Sequence, residues 1–428
     1  MKSKYDVVVV GGGTAGVVAA IQAGRAGAST LLVEKNGMLG GTMTVAGVNA
    51  PAHFFAWGEQ IIGGIGWELT RRTMEETGQP VPTPEFTKGT NRPHHLRVDI
   101  AVFAALCDEA VLGAGVDLLL HAMPASARFG KGGWTLGVCT KSGLQKTRAK
   151  ALIDATGDAN VVAMAGFEVI RSEVVQPATL SMHCSGYDPA ALDFDALKAA
   201  ADKAIAAGEL KTTDVSWYDA GPASFLRGRG MNSNHLRAHG AETSEGRTAV
   251  EVEGRRAMLR AHRFFRKQPG LENFRIDRVC PEAGIRETVT IKGKATMAVK
   301  DYEAGRQYED AVCYAFYHID EHLNDGKGVN HRYLAEGVLP TIPRGALLPA
   351  GSRFLVVAGR CVASDRETNS AVRVECPCMA MGQAAGAMAA LSARTGLDPE
   401  ELPLRDIHAL LREHGAIVPG DVKSVSAP

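Results

Sequence analysis

VVVVGGGTAGVVAAIQAGRAG, at residues 7–27, is the stretch that decides the fold of this chain. Residues 5–10 form a continuous and largely β-branched apolar run, which predicts a strand buried on both faces, as in a parallel sheet. The alanine-rich residues 14–26 predict a helix, and TLLVE at 30–34 predicts a second strand. Together these elements predict a βαβ unit of about thirty residues.

A G-x-G-x-x-G pattern, formed by Gly11, Gly13 and Gly16, lies between the first strand and the first helix. Gly11 suits the tight turn, Gly13 lets a pyrophosphate approach the backbone, and Gly16 lets the helix pack on the strand. Glu34 closes the second strand, where its carboxylate can accept hydrogen bonds from a ribose and would repel a 2′-phosphate, which disfavours NADP. The complete βαβ context also disfavours the alternative of a glycine-rich turn without a ligand.

Two further segments favour FAD over NAD as the dinucleotide. GMLGGT at 37–42 follows the acidic residue closely and suits a loop beside the pyrophosphate. AGRCVASD at 358–365 follows a late predicted strand, and the glycine-bearing helix CMAMGQAAG at 378–386 comes next. A ligand contacted by such distant segments is long. No second G-x-G-x-x-G follows a strand, so we expect no separate nicotinamide domain.

Composition excludes several other classes of function. The chain has 428 residues with 47 Lys+Arg and 47 Asp+Glu, so it lacks the charge that binds nucleic acid or an acidic membrane. The eight cysteines are dispersed without a C-x-x-C pair, which predicts reduced thiols. The first residues do not resemble a secretory signal, and no apolar run reaches the length of a membrane span. We expect a cytoplasmic protein with no membrane span.

Several motifs in the same order resemble the two-dinucleotide-binding flavoprotein class. They are IDATGDANVVAMAG at 153–166, PATLSMHCSG at 177–186, GIRETVTIKG at 284–293, PTIPRGALLP at 340–349, and the segment from AGRCVASD to MGQAAGAMAA at 358–390. Within that class, the chain is similar to the FAD-dependent oxidoreductase family that is loosely related to fumarate reductase flavoproteins. The resemblance covers nearly the whole chain.

The expected fold is α/β, with a discontinuous Rossmann-like FAD-binding domain and an α+β substrate domain. The FAD-binding domain, a parallel sheet with a small β-meander, is expected from two segments, 1–172 and 341–428, and the substrate domain from 173–340. The expected non-covalent FAD contacts are Gly11, Gly13, Thr14, Ala15, Gly16, Glu34, Lys35, Gly41, Thr42, Ala155, Gly157, Asp158, Gly359, Arg360, Gly382, Gln383 and Ala384.

The late glycine-bearing helix, expected to begin near Pro377, is a candidate for stabilising charge at the flavin's pyrimidine edge. A helix N-terminus carries unpaired N–H groups and a positive dipole end. Gly382 would allow close approach to the ring. The alternative is a buried Ala/Gly helix that only packs on the sheet.

His183 and Arg286 are two candidates for catalytic residues. His183 belongs to a strand-like segment whose alternate residues are polar, and in this class such a sheet covers the flavin ring. Arg286, in the GIRE motif, could orient a carboxylate or carbonyl oxygen or stabilise an anionic flavin. A structural role is the alternative for both residues, through a contact with Glu287 in the case of Arg286.

Two more catalytic candidates are His318 and Arg344. His318 lies in CYAFYHIDEH at 313–322, which we interpret as a helical block that could reach the pocket. Arg344 is unusual at its position and could determine specificity. We expect no metal, because the pair Cys376 and Cys378 has no partner pair, and no covalent flavin on a histidine such as His53.

The sequence departs from its relatives at three places. Disulfide reductases carry cysteines where this chain has Met43 and Val48, so a redox-active disulfide is excluded there. The family usually has arginines after GIRE, where this chain has Val289 and Thr290, and a Tyr-Arg pair after IP, where it has Arg344-Gly345. The last two changes indicate an altered substrate pocket.

The resemblance therefore predicts a dehydrogenase or oxidase that transfers a hydride between a small organic substrate and the flavin. Electrons would leave to oxygen, a quinone or a carrier protein. The alternatives are an alkene reductase fed by a separate reductase, or a non-catalytic flavin-binding partner protein.

Overall fold

The computed structural model describes residues 1–88, 96–218 and 221–422. Its helices are α1 Thr14–Arg25, α2 Ile65–Glu76, α3 Ile100–Gly113, α4 Asn160–Met164, α5 Phe194–Ala206, α6 Thr212–Val215, α7 Ala223–Arg227, α8 Ser244–Phe265, α9 Val299–Glu303, α10 Arg366–Val372, α11 Glu375–Thr395 and α12 Leu404–Glu413. Short 3₁₀ turns occur at Gly41–Met43, Pro84–Thr87, Pro189–Ala191 and Arg344–Leu347.

The strands are mostly short and fall into one large sheet and several small ones. They are β1 Lys4–Val10, β2 Thr30–Val33, β3 Phe55–Ala56, β4 Glu59–Gln60, β5 Asp117–Leu119, β6 Met123–Gly130, β7 Gly133–Thr140, β8 Gly143–Asp154, β9 Val169–Arg171, β10 Met182–Ser185, β11 Gly230–Met231, β12 Arg275–Val279, β13 Val289–Ile291, β14 Ala311–Tyr314, β15 Ile319–His322, β16 Val329–Arg332, β17 Thr341–Pro343 and β18 Leu355–Val357.

The large sheet has the order β5-β2-β1-β8-β7-β6, and β18 also pairs with β8. Strands β5, β2, β1, β8 and β18 pair in parallel, whereas β6, β7 and β8 form an antiparallel meander. The long strand β8 belongs to both the meander and the parallel part of the sheet, because its first half pairs with β7 and its last residues pair with β18. The expected α/β fold, with a parallel sheet and a small meander, is confirmed.

The sequence pattern of β1 explains its central place in this sheet. Val7, Val8, Val9 and Val10 are at most 1% exposed, so both faces of the strand are covered. A parallel strand covered on both faces needs such a continuous apolar run. Helix α1 follows the strand directly, and helix α11 packs against α1, β1 and β8.

Buried residues form one large core and two smaller ones. The large core includes the sheet and also the buried residues from Val289 to Val418. The two smaller cores lie within residues 175–285 and pack around β10, α5 and α8. The division into domains at 172 and 340 stays a prediction, since residues beyond Val289 share the large core.

One secondary-structure interpretation from the sequence was wrong. Residues 313–322 are not a helical block, since β14 ends at Tyr314 and β15 spans Ile319–His322. β14 pairs with β17 and β15 with β16, so tertiary pairing decides the conformation of this segment. Two boundaries also differ: the strand-like segment around His183 is regular only in β10, and α11, expected to begin near Pro377, begins at Glu375.

The eight cysteines are free thiols. None of the helices in the described ranges 1–88, 96–218 and 221–422 combines the length and apolar character that crossing a membrane requires.

Helices α1 and α11 approach each other closely through small residues. A Cβ at Gly382 would collide with the carbonyl oxygen of Ala15, and one at Gly386 would collide with that of Ala19. The two backbones are therefore in direct contact, which a larger side chain would prevent. This contact joins the first βαβ unit to a segment more than 350 residues later.

We predict that Gly382→Ala destabilises the protein by roughly 1–3 kcal/mol, because the added methyl group must force the two helices apart. The measurement is the thermal unfolding midpoint by circular dichroism. Gly113→Ala, in α3, is the matched control, since a Cβ there meets no atom within 4 Å. Equal midpoints for the two variants would contradict the packing described here.

Candidate functional site

A cavity of about 1040 Å³ opens where the parallel strands of the large sheet end. Val10 ends β1, Val33 ends β2, Ala155 follows β8, and Ala358 follows β18, and all four line the cavity. Ligands of α/β proteins collect at the carboxyl ends of parallel strands, where the loops diverge. The sheet topology thus places a ligand site here.

Most residues expected to contact the dinucleotide lie on the wall of this one cavity. They are Gly11, Gly13, Thr14, Ala15, Glu34, Lys35, Gly41, Thr42, Ala155, Gly157, Asp158, Gly359 and Arg360. Two distant segments of the chain therefore line the same space.

Gly16 and Gly382 are not on the cavity wall, because both are used in packing. A Cβ at Gly16 would collide with the carbonyl oxygen of Gly11, so Gly16 lets α1 lie against the end of the first strand. Gly382 lies against Ala15, as described above. The expectation that Gly382 makes room for a flavin ring is therefore corrected. The first turn of α11 reaches the cavity instead, through Glu375 and neighbouring residues.

Gln383 and Ala384 also lie away from the cavity. The Gln383 amide accepts a hydrogen bond from the Ile65 N–H at 3.1 Å and donates to the Gln22 side chain at 3.1 Å. Ala384 is fully buried in the core. Both residues hold α11 against its neighbours, so their expected cofactor contact is corrected to a packing role.

The N-terminus of α1 is arranged to accept an anion. Gly13 is the N-cap residue, and no side chain in the described part of the chain caps the N–H groups of the first turn. A Cβ at Gly13 would meet no atom within 4 Å, whereas one at Gly41 would lie 2.8 Å from the Gly13 Cα. Gly41 thus lies close beside the turn, and the open side of Gly13 can receive a phosphate.

Glu34 is buried at the end of β2, beside this turn. Its carboxylate accepts the Gly12 N–H at 2.6 Å and the Asn36 N–H at 2.8 Å. Burial raises the pKa of Glu34, and these two N–H groups partly oppose that rise. Each oxygen retains a lone pair, so the carboxylate can still accept a hydrogen bond from a ribose hydroxyl. The adjacent Lys35 forms an ion pair with Glu282.

Asp154 organises the ATGD loop that follows β8. Its buried carboxylate accepts hydrogen bonds from the Thr156 N–H and hydroxyl, and from the N–H groups of Val161 and Val162. It therefore ties the loop to the start of α4. This arrangement presents Asp158 on the cavity wall.

Asp158 is the centre of a partly buried charged cluster. It pairs with Arg360 and, at 3.0 Å, with Arg247, and it accepts the Thr288 hydroxyl at 2.9 Å. Burial alone would raise the pKa of Asp158, but the two guanidinium groups outweigh that effect and lower it. The cluster joins residues that are distant in sequence beneath the same part of the cavity.

The other end of the cavity is a polar chamber. We use this name for the lining residues Arg286, Tyr317, His318, Asp320, Arg373 and Glu375. His322 and His331 lie beside it and also line the cavity. Neutral and charged hydrogen-bonding groups thus converge on a space that is continuous with the dinucleotide end, the part of the cavity lined by Gly11, Gly13 and Glu34.

Asp320 is the hydrogen-bond acceptor at the centre of the polar chamber. Its carboxylate lies 3.0 Å from His331 Nε2, 3.4 Å from His322 Nε2 and 3.5 Å from the Arg373 guanidinium. Burial opposes ionisation, but these partners hold the pKa of Asp320 well below its usual range. Asp320 is therefore anionic at neutral pH.

Burial and like charge shift several neighbours toward their neutral forms. Burial and Arg286 together lower the pKa of His322 to about 3. His322 also contacts His235 at 2.9 Å, and burial lowers the pKa of His235 to about 2. Burial raises the pKa of Glu375 to about 7. Both histidines are therefore neutral, and Glu375 binds its proton near neutral pH.

Two of the four catalytic candidates, Arg286 and His318, line the polar chamber. Arg286 does not pair with Glu287, which instead accepts the Gln176 N–H at 2.9 Å. The His318 ring stacks on Tyr317, with ring centroids 4.2 Å apart, and on Tyr333 at 4.8 Å. The structure therefore brings Arg286 and His318 to one site from segments that lie far apart in sequence.

The other two candidates, His183 and Arg344, do not line the cavity. His183 is half exposed on the central strand of its small sheet and lies 3.3 Å from the Asp277 carboxylate. Arg344 donates to the Leu402 carbonyl at 2.7 Å, and neither residue lines the cavity. Their expected catalytic roles are corrected, because alternation along a strand and an unusual arginine do not reveal which surface a side chain faces.

The sequence analysis missed Asp320, His322, His331, Arg373 and Glu375. A signal for two of them was present, because His318, Asp320 and His322 recur at every second position, which is the period of a strand. We interpreted that segment with a helical period. Donor atoms of His318, Asp320 and His331 lie within 4.8 Å of one another, which could also hold a metal ion that the sequence did not suggest.

A family model matches most of the chain. The model of the family described as FAD dependent oxidoreductase matches residues 6–411. This match includes every segment that lines the cavity.

Curated relatives match only short parts of the chain. A dihydrolipoyl dehydrogenase from Trypanosoma brucei brucei is 60% identical over 86 residues, which are 17% of this chain and 18% of that enzyme. The mitochondrial dihydrolipoyl dehydrogenase from Schizosaccharomyces pombe is 34% identical over 85 residues, or 20% of this chain and 16% of that enzyme. The chain thus matches less than a fifth of the length of these relatives.

Two solved structures align along most of the chain at low similarity. A geranylgeranyl bacteriochlorophyll reductase-like protein from Thermoplasma acidophilum is 14% identical, with 96% of this chain and 84% of that chain covered and a TM-score of 0.42. The p-nitrophenol 4-monooxygenase from Pseudomonas putida DLL-E4 is 13% identical, with 96% and 84% covered and a TM-score of 0.40.

We predict that Asp158→Asn lowers the free energy of unfolding by about 2–3 kcal/mol at pH 7, because two partly buried guanidinium groups lose their counterion. Thr288→Val, which removes only a neutral hydroxyl from Asp158, is the control and should cost about 1 kcal/mol. Denaturant titration of both variants measures the effect.

The effect of Asp158→Asn should depend on pH. The folded-state pKa of Asp158 is lowered, so its stabilisation is present above the unfolded carboxyl pKa of about 4 and is lost as pH falls through the folded value. The gap between wild type and variant should therefore narrow in acid. A gap that is constant or widens there would contradict the charge assignment.

Proposed function

Because the chain belongs to the FAD-dependent oxidoreductase family, we propose that it transfers a hydride between a small organic substrate and FAD, as a dehydrogenase or oxidase. Membership of the family makes FAD its cofactor and the chain an oxidoreductase, which disfavours the alternative of a non-catalytic flavin carrier. The observation that carries the proposal is the single cavity of about 1040 Å³, which joins a dinucleotide end to a polar chamber. Bound FAD supplies the two-electron chemistry, and the protein supplies orientation and proton handling.

The FAD-binding residues of this proposal are those of the first βαβ unit and the late AGR segment. The uncapped first turn of α1 would hold the pyrophosphate, with Gly13 and Gly41 close to it. Glu34 would accept the ribose hydroxyls. Arg360, whose buried Nε has no hydrogen-bond partner among the described residues, would also contact the cofactor. We propose non-covalent binding.

Proton handling would fall to the histidines of the polar chamber. Oxidation of a C–H bond next to an O–H or N–H group releases a proton that a base must accept. His331 is 40% exposed at its side chain and is held by Asp320 at 3.0 Å, so it can pass a proton to solvent. His318 lies beside the same carboxylate, at 3.9 Å. Asp320 would act as a positioning residue for both rings.

The electron acceptor in this proposal is oxygen, a quinone or a carrier protein. The motif analysis supports this choice, because only one G-x-G-x-x-G follows a strand. A cytoplasmic location is also part of the proposal, and the eight free thiols support it.

We predict that Glu34→Ala weakens FAD retention by about tenfold or more, equivalent to about 1.4 kcal/mol. The variant loses the ribose acceptor and leaves the Gly12 and Asn36 N–H groups without their carboxylate. The ratio of flavin to protein absorbance after desalting, and reconstitution of the stripped protein with FAD, measure the change. Glu168→Ala removes an exposed carboxylate as a control, and equal retention in both variants would contradict the ribose assignment.

The proposed reaction is tested by anaerobic mixing of the FAD-loaded protein with alcohols, amines and carboxylic acids. We expect one class to bleach the flavin absorbance near about 450 nm, because the substrate donates two electrons to the cofactor. Dithionite is the control for a reducible flavin. If dithionite bleaches the flavin and no member of the three classes does, the dehydrogenase or oxidase proposal fails.

A further inference from the structure

Arg286 is a buried cation without a matching anion. Its side chain belongs to a residue that is only 7% exposed, and its guanidinium donates to the Pro177 carbonyl at 2.8 Å and the Asn232 side-chain oxygen at 2.9 Å. Both acceptors are neutral. Among the residues that the structure describes, no carboxylate lies within 4.0 Å of this guanidinium. A buried charge without a counterion is costly, which indicates that a ligand completes the site.

Arg373 brings a second guanidinium to the same chamber. It donates to the Gln176 side-chain oxygen and the Asp320 carbonyl, each at 3.2 Å, and its buried Nε has no hydrogen-bond partner within the described ranges. The Asp320 carboxylate is 3.5 Å away. Asp320 also accepts the hydrogen bond of His331, so a single carboxylate serves several cationic or imidazole groups. Arg373 therefore retains unused capacity to bind an anion.

Glu375, the other carboxyl group of the polar chamber, does not neutralise the second guanidinium group. Burial raises the pKa of Glu375 to about 7, so this group is substantially protonated at neutral pH. Burial, with Arg373 close by, lowers the pKa of Arg286 to about 9, which still leaves it charged. Two guanidinium groups thus face one full negative charge, and the chamber carries excess positive charge.

Helix α11 adds to this positive potential. Its N-cap residue, Val374, provides no side-chain cap, and both Val374 and Glu375 line the cavity. Within the first turn of this 21-residue helix, the Cys376 N–H donates to the Pro51 carbonyl at 2.9 Å and Pro377 has no N–H, so the helix contributes through its dipole. The positive end of a helix dipole favours an anion within about its first turn. The helix and the two arginines thus all add positive potential to the chamber, although Arg286 lies in a different segment of the chain from the helix.

We propose that the polar chamber binds a carboxylate group of the substrate, held between Arg286 and Arg373. This inference rests on the proposed function and narrows it to small organic carboxylic acids. Guanidinium groups bind carboxylates with paired, charge-assisted hydrogen bonds, which suits two arginines with free donors. The carboxylate would fix the reacting carbon in the same cavity as the proton-handling histidines.

A metal ion at His318, Asp320 and His331 is the competing use of this chamber. The donor atoms are close enough, but Asp320 already faces Arg373 at 3.5 Å. A divalent cation would lie beside that guanidinium, and Arg286 would remain without an anion. The charges therefore favour a carboxylate over a cation here.

The test uses the FAD-loaded protein and the flavin absorbance spectrum as the reporter of binding. Acetate and benzoate are titrated at constant ionic strength, with acetamide and benzamide as uncharged matches. We expect at least one carboxylate to perturb the spectrum with saturation, at about tenfold or more higher affinity than its amide. Spectra that respond equally to acid and amide, or to neither, overturn the proposal.

Substitutions of the two arginines test whether they form the carboxylate site. Arg286→Gln and Arg373→Gln should each weaken carboxylate binding by about tenfold or more, whereas Arg286→Lys should weaken it less because it keeps the charge. Arg237→Gln, which removes an exposed arginine paired with Asp325, is the control and should bind as the wild type does. FAD content and the thermal midpoint are measured for every variant, and the comparison of acid with amide in the wild type does not depend on any variant folding.

The remaining outcomes separate the possible failures. Saturable binding of Zn²⁺ that His331→Ala removes, without carboxylate binding, would overturn the proposal in favour of a metal site. If Arg286→Gln lowers FAD retention and leaves carboxylate binding unchanged, Arg286 serves the flavin and the proposal fails. A protein that holds no FAD, or whose flavin dithionite cannot bleach, would instead contradict the proposed function.

Discussion

The contact between helices α1 and α11 is the constraint on which the cavity depends. At Ala15–Gly382 and Ala19–Gly386 the backbones touch, so the two helices are held at a fixed spacing. Thr14 at the cavity is one residue from this contact, and Glu375 is about 10 Å along α11 at the usual helical rise. The contact therefore fixes the distance between the anion-binding turn at one end of the cavity and the polar chamber at the other. Small residues in α11 matter for packing, and their effect on the ligand is indirect.

Sequence predicts local elements of this site well and tertiary juxtapositions poorly. The βαβ unit follows from two short-range patterns, a buried apolar run and glycines at fixed offsets, so β1, α1 and the Glu34 position could be predicted. The segment 313–322 could not, because its conformation depends on pairing with β16 and β17, which lie later in the chain. The same limit applies to His183 and Arg344, because the residues next to them in the sequence do not predict which surface of the protein their side chains face.

The cavity holds two pairs of arginines that differ in how they are paired with carboxylates. Arg360 and Arg247 each form a direct ion pair with Asp158, which also accepts the Thr288 hydroxyl, so both guanidinium groups have an anionic partner within the protein. Arg286 and Arg373 have mostly neutral acceptors, and the one full anion near them is shared with histidines. A matched cluster stabilises the fold, whereas an unmatched one is maintained at a cost in stability. Unmatched charge in a cavity is characteristic of a site that a ligand completes.

The departures from the family pattern acquire a physical meaning in this arrangement. The resemblance predicts arginines after GIRE, yet Val289 is 4% exposed in β13, which pairs with β9, so a guanidinium there would enter the core. Gly345 lies where a Cβ would be 2.9 Å from that of Ala295, so a tyrosine or arginine would not fit without a shift. The second guanidinium comes instead from Arg373, at the junction of α10 and α11. Because that junction precedes the helix held against α1, the position of Arg373 is tied to the same contact that fixes the dinucleotide end.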